Sequence, residues 1–268
     1  MPTGTFIAVD GGLKWNVGIR SDGTLAAWGD NTYGQSDVPP GMFIKVSAGA
    51  THGLAVRTDG ALLGWGSNSN GEAVAPPGSY IDATAGRGFS IALRDDGTLI
   101  GWGYNPSGET NVPSGVFVAV GAGINFAAGI RSDGTLAAWG ANNYGQASPP
   151  GGTYRAIAVE SQFAVALTTD DRVVGWGFNL AGQTNPPPGR FDSIGAAGYA
   201  AHAIRKECYA NCDGSAASPH LTVNDFICFM NRYVAGDPYC NCDGSTAQPS
   251  LNINDFICYI NVFSAGCS

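Results

Sequence analysis

The sequence predicts an all-β propeller of short repeats followed by a small, cysteine-rich domain. Two observations lead to this prediction: a 37-residue repeat marked by tryptophan over about three quarters of the chain, and seven cysteines that all follow residue 207. Hydrophobic residues make up 44% of the 268 residues and charged residues 13%. This composition suits a packed core and argues against a disordered chain.

One tryptophan marks each unit of the repeat. Five units fit the 37-residue register without insertion or deletion, and residues 191–206 match the first part of a sixth. An aromatic residue near the start of each unit keeps the same spacing. The tryptophans are Trp28, Trp65, Trp102, Trp139 and Trp176, and the aromatic residues are Phe6, Phe43, Tyr80, Phe117, Tyr154 and Phe191.

Each unit contains three short apolar runs of strand length. Asp-Gly separates the second run from the third in four units, as at Asp59-Gly60, and predicts a hairpin because the turn needs a positive φ. The fifth unit has Asp170-Asp171 instead. A small sheet cannot bury both faces alone, so we expect radial stacking into a propeller of five full blades and a partial sixth. A β-solenoid is the alternative architecture.

Two stretches carry a family resemblance, Trp-Gly-Asp-Asn-Thr-Tyr-Gly-Gln at 28–35 and Trp-Gly-Ala-Asn-Asn-Tyr-Gly-Gln at 139–146. They resemble the repeat of the regulator of chromosome condensation family. The short unit is similar to the compact bacterial members, such as the propeller-type β-lactamase inhibitor protein. The resemblance covers residues 1–206 and implies the fold more than an activity, because one fold hosts many functions.

The sixth unit lacks its hairpin and its tryptophan strand. Pro2-Thr3-Gly4 matches Pro39-Pro40-Gly41 of the next unit, as if an earlier repeat ended there. We expect a strand upstream of Met1 to complete the sixth blade.

Residues 207–268 form a second repeat with a 30-residue step. Asn211-Cys212-Asp213-Gly214-Ser215 matches residues 241–245, and residues 221–228 match residues 251–258. Apolar residues at helical spacing then predict one helix in each half. The predicted domains are therefore a propeller at 1–206 and a duplicated loop–helix domain at 207–268.

The duplicated loops predict two calcium sites. Calcium binds six to eight oxygen ligands, which alternating side chains and a carboxylate at the next helix can supply. Helix caps and turns are the alternative role of these residues. The loop–helix pair resembles dockerin modules, with about three extra residues per loop, and this resemblance implies a cohesin-like or cell-surface docking partner. The predicted ligands are Asn211, Asp213, Ser215 and Asp225, and Asn241, Asp243, Ser245 and Asp255.

The cysteine-rich tail predicts disulfides and therefore an oxidising compartment. We expect an extracellular or cell-surface protein, although the chain itself shows no signal peptide. The sequence leaves the connectivity open, and Cys240 has no obvious partner. The candidate pairs are Cys208 with Cys267, Cys212 with Cys228, and Cys242 with Cys258.

No catalytic motif stands out in the sequence. It has no nucleophile elbow, phosphate loop or zinc spacing. His52 occupies the repeat position of an aromatic residue in other units, so we expect it to pack rather than to act as a base. The adjacent pairs Asp95-Asp96 and Asp170-Asp171 are the alternative, as a glycosidase acid and base. We predict that the chain is not an enzyme.

Two sets of positions vary from unit to unit while the scaffold repeats. One set lies in the bend before the second strand and the other follows the tryptophan. Varied side chains on a fixed frame are typical of a recognition surface, although unconstrained drift of the loops is the alternative. The predicted ligand-binding residues are Lys14, Thr51, Arg87, Asn125, Gln162 and Tyr199 of the first set, and Tyr33 and Tyr144 of the second.

Charge and hydropathy narrow the possible partners. The net charge of −8 argues against nucleic acid, and no run of apolar residues is long enough to span a membrane. The leading hypothesis is an extracellular adaptor that binds a protein or glycan and is anchored by its tail. A secreted glycan-active enzyme and a protein inhibitor of an extracellular enzyme are the alternatives.

Overall fold

The computed structural model of the chain describes residues 2–198, 200–205 and 230. The chain divides into two units, Met1–Ile204 and Arg205–Ser268. Almost all of the tail lies outside the described residues. The boundary after residue 206, the calcium ligands and the disulfides therefore stay predictions.

Short strands run through the whole of the first unit, three to each repeat and two in the sixth. They are β1 (Phe6–Gly11), β2 (Trp15–Arg20), β3 (Leu25–Gly29), β4 (Phe43–Ala48), β5 (His52–Arg57), β6 (Leu62–Gly66), β7 (Tyr80–Ala85), β8 (Phe89–Arg94), β9 (Leu99–Gly103), β10 (Phe117–Ala122), β11 (Phe126–Arg131), β12 (Leu136–Gly140), β13 (Tyr154–Glu160), β14 (Phe163–Thr168), β15 (Val173–Gly177), β16 (Phe191–Ala197) and β17 (Ala200–Arg205).

Each repeat folds into one antiparallel sheet with its second strand in the middle. The sheet orders are β1-β2-β3, β4-β5-β6, β7-β8-β9, β10-β11-β12 and β13-β14-β15, followed by the two-stranded β16-β17. The predicted unit of three strands is therefore confirmed.

Asp-Gly closes the hairpin between the second and third strands, as predicted. In the first unit Gly23 has a φ of 84°, a conformation that glycine adopts without strain. Asp22 Oδ1 accepts hydrogen bonds from Thr24 N (2.9 Å) and Thr24 Oγ1 (2.7 Å), which fix the turn. In the fifth unit Asp171 takes the glycine position at a φ of 69°.

Successive sheets stack face to face, with their first strands side by side. β1 contacts β4, β4 contacts β7, and the same succession continues to β16. Each hairpin also reaches the next unit, because Phe43 N donates to Gly23 O (2.8 Å) and Tyr80 N to Gly60 O (2.9 Å). The core lies between neighbouring sheets, and one cluster joins Trp15 and Val17 of the first unit to Phe43 and Trp65 of the second.

In the second to fifth units, the tryptophan donates a hydrogen bond to the unit before it. Trp65 Nε1 lies 2.8 Å from Gln35 O, in the loop that follows the third strand of the first unit. The same bond, always to the residue 30 positions earlier, joins Trp102 to Glu72 (2.9 Å), Trp139 to Glu109 (2.7 Å) and Trp176 to Gln146 (2.9 Å). Three of these tryptophans, Trp65, Trp139 and Trp176, are buried. A buried indole N–H group needs a hydrogen-bond acceptor.

The first unit has no preceding loop among the described residues. Trp28 makes an edge-to-face contact with Phe6 at 5.9 Å between ring centroids, but no described carbonyl accepts from its indole. On β1 the side chain of Val9 is 59% exposed, whereas its equivalents Val46 and Ala83 pack against core clusters. The side of β1 that carries Val9 is therefore exposed, whereas the same side of β4 and β7 packs against the preceding sheet.

A helix long and apolar enough to cross a membrane does not occur within the described ranges.

Trp65→Phe should lower the free energy of unfolding more than Trp28→Phe. Both changes replace indole with a smaller ring, but only the first removes a bond and leaves a buried carbonyl unpaired. We expect a difference of about 1–3 kcal/mol, measured by denaturant unfolding of both variants. Equal losses of unfolding free energy would show that the indole hydrogen bond adds no stability beyond the packing of the ring.

Candidate functional site

The two variable sets of residues come together on one face of the stack. Each bend between the first and second strands is joined by a backbone hydrogen bond to the residue just after the third strand. Ser67 N donates to Thr51 O (2.9 Å) and Ala141 N to Asn125 O (2.8 Å), and three other units have the same bond. We call this surface the bend face. It comprises the bends at residues 12–14, 49–51, 86–88, 123–125 and 160–162 and the loops at 30–35, 67–72, 104–109, 141–146 and 178–183.

Neighbouring bends touch closely through their backbones. Ala50 N donates to Gly86 O (3.4 Å), and Ile124 N to Ser161 O (2.7 Å). A Cβ on Gly49 would lie 2.6 Å from the Gly86 carbonyl oxygen, closer than a side chain can approach. Glycine is therefore required at this position for the second and third bends to approach this closely, and we call the row of bends the collar.

The loops of the bend face are held by their own side chains. Asn68 Oδ1 accepts from Ala73 N (3.0 Å), and Glu72 Oε2 accepts from Asn70 N (2.7 Å). The equivalent Asn and Gln or Glu residues make the same bonds in the other four units. These bonds fix the loop backbone before any ligand binds.

Most of the predicted ligand-binding side chains are accessible on this face. Lys14 and Arg87 are exposed, while Thr51, Asn125 and Gln162 are half-buried. Tyr33 is 57% and Tyr144 is 49% exposed. Tyr199 lies outside the described residues, so its place on the face stays a prediction.

The structure adds three exposed residues that the prediction did not select. Tyr104 is 46%, Leu13 71% and Leu180 88% exposed, and all three lie on the bend face. Tyr104 begins the loop of the third unit, at a position occupied by Asp, Ser, Ala or Phe in the other units. This variation was visible in the aligned repeats and would have identified it.

One tyrosine of the face is held by an aromatic neighbour. Tyr144 and Phe178 pack edge to face with 5.0 Å between their ring centroids. Because this geometry restricts the tyrosine ring while half of it stays exposed, the side chain loses little freedom when a ligand covers it.

Two carboxyl groups, those of Asp10 and Glu160, lie where first strands end and the bends begin. Glu160 takes a position that is glycine in the first four units. Burial raises the pKa of Glu160, and the nearby Asp10 carboxylate raises it further. Asp10 accepts from Ala48 N at 2.8 Å, but burial still raises its pKa. The stack therefore curves enough to bring the first strands of the first and fifth units within electrostatic reach.

The sequence pattern did not single out Asp10 or Glu160, since their proximity depends on the curvature of the stack. Within residues 2–198 and 200–205, no group of three or more His, Cys, Asp or Glu side chains could hold a metal ion.

The adjacent aspartates considered as an acid and base lie at the opposite, hairpin end of the sheets. Asp96 Oδ1 accepts from Thr98 Oγ1 (2.7 Å), and this bond holds its pKa low. Asp170 pairs with Arg172 at 3.1 Å, and Asp171 with Arg155 at 2.9 Å. These contacts indicate that the hairpin aspartates stabilise their turns.

The family of the repeats follows from their sequence. The profile described as "Regulator of chromosome condensation (RCC1) repeat" matches residues 43–72, 80–109 and 117–146. These three stretches are RCC1 repeats. Each runs from the aromatic residue that opens the first strand to the Gln or Glu whose carbonyl receives the next indole. A search of curated protein sequences gave no match.

Solved structures share the fold of the RCC1 repeats. The ectodomain of the receptor kinase CR4 from the moss Physcomitrella patens has a TM-score of 0.61 at 23% identity, over 71% of this chain and 55% of that one. Prp20p from Saccharomyces cerevisiae has a TM-score of 0.59 at 14% identity, over 77% and 64%. The same yeast protein bound to Kap60 gives 0.59 at 15%, over 77% and 62%.

These likenesses confirm an RCC1-like β-propeller and, at such identities, the fold alone. The chain spans between 55% and 64% of the length of these three chains. The short bacterial type and the dockerin-like tail remain predictions.

His52 of the first matched RCC1 repeat is completely buried. The Ser90 hydroxyl donates to Glu72 O (2.8 Å), so His52 Nε2 must donate its proton to Ser90 Oγ (2.9 Å). No described group bonds to His52 Nδ1. Burial lowers the pKa of His52 to about 4, against a smaller opposing effect of the Glu72 carboxylate. The side chain is therefore a neutral packing residue.

His52→Phe should remove a pH-dependent part of the stability. The folded pKa of His52, about 4, lies below the value of about 6.5 in the unfolded chain. Its contribution is therefore complete above pH 6.5 and is lost as the pH falls towards 4. Between pH 7.5 and 4.5 the wild-type chain should lose about 2–3 kcal/mol more than the variant. Denaturant unfolding at both pH values measures this difference, and parallel curves would contradict it.

Proposed function

We propose that the chain is a non-catalytic, extracellular binding protein whose bend face holds a protein or glycan ligand. One observation carries the proposal: the backbone of the bend face is fixed by bonds repeated in all five complete units, while the side chains on it differ. A rigid frame with varied, exposed side chains gives specificity at little cost in conformational entropy.

The kind of side chain favours a protein as the ligand. The face exposes the side chains of Tyr33, Tyr104 and Tyr144 and the cation of Arg87. Tyrosine and arginine are enriched at the centres of protein interfaces and dominate their binding energy. Structural relatives bind proteins: Prp20p has binding properties to Gsp1p and histones, and it forms a complex with Kap60.

Exposed apolar and aromatic residues on one face also suit a protein inhibitor. Leu13, Tyr144 and Leu180 could cover the active-site rim of an extracellular enzyme. An inhibitor is a special case of the same proposal, in which the captured protein is an enzyme and loses activity when bound.

Substitution of the bend face should abolish capture of the ligand. We expect a triple variant with Arg87→Ala, Tyr104→Ala and Tyr144→Ala to lose the proteins that the whole chain captures from a cell-envelope extract of its source. Quantitative mass spectrometry of the captured proteins measures the loss, and their enzyme assays test inhibition.

The matched control is a variant with three substitutions at the hairpin end of the sheets, opposite the bend face. Ile44, Ile81 and Val118 are 51%, 46% and 59% exposed there, so their replacement by serine removes a comparable apolar area. This variant should capture normally. If both variants capture as well as the wild type, ligand binding does not use the bend face.

We further propose that residues 207–268 anchor the protein to the cell surface through two calcium-loaded loops. The support is the duplicated sequence and its resemblance to dockerin modules. With Asp213 and Asp243 as ligands, the two loops would offer carboxylates to calcium.

Asp213→Ala combined with Asp243→Ala should remove calcium binding by the whole chain. Isothermal titration should show two sites for the wild type and none for the double variant. Capture through the tail should also fail with a chelator. Unchanged titration curves would mean that these residues serve only turns and caps.

A further inference from the structure

In two loops of the bend face, the first and the sixth side chain of the loop are paired. Gln35 Nε2 donates to Asp30 Oδ2 (3.2 Å) in the first unit. In the second unit Ser67 Oγ donates to Glu72 Oε1 (2.8 Å). Both sixth residues are buried. The first residue of these loops therefore supplies the partner that a buried polar side chain needs.

The third loop breaks this pairing. Its sixth residue is Glu109, which is fully buried, and its first residue is Tyr104. Glu109 Oε2 accepts from Ser107 N (2.9 Å), as the same atom of Glu72 accepts within the second loop, so the two carboxylates have the same orientation. Glu109 Oε1 therefore faces the side chain of Tyr104, where the second unit has the Ser67 hydroxyl.

The chain leaves this second oxygen of Glu109 unpaired. Among the described residues, no group hydrogen-bonds to Glu109 Oε1, and no cation lies within ion-pair distance of the carboxylate. The second and fourth units, on either side of this loop, are described throughout. A buried carboxylate without a partner is unfavourable, so the third loop keeps a negative charge that its own residues do not neutralise.

An exposed aromatic ring accompanies this charge. Tyr104 is 46% exposed, and the face of an aromatic ring attracts cations. A carboxylate inside the protein strengthens this attraction, because the protein interior screens its charge less than water does. Arg87 precedes Gly88, whose carbonyl accepts from Tyr104 N (2.8 Å). Within the described part of the chain, this arginine makes no ion pair with Glu109 and no ring contact with Tyr104.

We propose that Tyr104 and Glu109 form a subsite of the bend face for a cationic side chain, lysine or arginine, of the protein ligand. The cation lies against the Tyr104 ring, and the Glu109 carboxylate attracts it through space, since Oε1 itself is closed to solvent. The net charge of −8 favours the approach of such a ligand. This inference rests on the proposed function and names the chemistry that one part of the face selects.

Short peptides test the subsite. The tripeptides acetyl-Gly-Lys-Gly-amide and acetyl-Gly-Arg-Gly-amide carry the cation, and acetyl-Gly-norleucine-Gly-amide carries a neutral chain of similar length. In an NMR titration of the isotope-labelled whole chain, a cationic peptide should shift the backbone amide signals of residues 104–109 saturably, and the norleucine peptide should not. Residues 178–183 are the internal control. In that loop Phe178 stands at the position of Tyr104, but the buried sixth residue is the neutral Gln183, so its signals should stay in place.

Two substitutions in the chain separate the charge from the ring. Glu109→Gln gives the third loop the residue that the first, fourth and fifth loops already have, so the loop keeps its shape and loses only the charge. This variant should bind the cationic peptide about tenfold more weakly. Tyr104→Ser removes the ring and supplies the hydroxyl found in the second loop, and it should abolish binding. Tyr144→Ser removes a tyrosine of similar exposure and should bind as the wild type does.

Four results would overturn the inference: no saturable binding of either cationic peptide, equal binding of the norleucine peptide, unchanged affinity of the Glu109→Gln variant, or binding only after Arg87→Ala. The last result would show that Arg87 itself occupies the subsite. If the peptides fail to bind while the triple bend-face variant still loses its captured proteins, this inference is wrong and the proposed function stands. If the peptides bind as expected while the triple variant captures normally, the proposed function is wrong and the cation subsite stands.

Discussion

The hydrogen bond from the tryptophan indole of the second to fifth units to the loop of the preceding unit is the constraint on which the rest of this propeller depends. The acceptor residue, such as Glu72, does two things at once: its side chain binds Asn70 N and shapes the loop, and its carbonyl receives Trp102 Nε1. The shape of the loop and the packing of the next sheet are therefore set by one residue. Because a buried indole N–H without an acceptor is unfavourable, any loop conformation that moves this carbonyl also weakens the junction between units.

This coupling explains why the bend face can vary without disturbing the fold. Backbone groups carry the contacts between bends and loops, as in the bond from Ser67 N to Thr51 O, so the side chains at these positions are free to change. Where the collar needs close approach, the residue is glycine, as at Gly49. Glu160 is the exception; burial raises the pKa of its carboxyl group, and the Asp10 carboxylate raises it further. On a surface of this kind, one set of residues stabilises the fold and a different set determines which ligand binds.

Much of the fold could be predicted from the sequence, because equivalent positions of the repeated units can be compared with one another. The tryptophan spacing set the unit, Asp-Gly fixed the hairpin between the second and third strands, and the aromatic equivalents of His52 correctly indicated a packing position. Which variable residues share a face followed only from the strand order, which places bends and loop starts at the same end. The proximity of Asp10 and Glu160, 150 residues apart in sequence, depends on the curvature of the whole stack. No local pattern encodes this curvature.

The bond between neighbouring units also bears on how such a chain can change length. Each of the four junctions between complete units joins a donor to an acceptor 30 residues earlier, and donor and acceptor recur together every 37 residues. A duplication or deletion of one whole unit therefore restores each junction on both sides of the change, whereas a gain or loss of a few residues within a loop breaks one. The length of such a chain can therefore change by one whole blade without breaking a junction, and the number of contact positions around the collar changes with it.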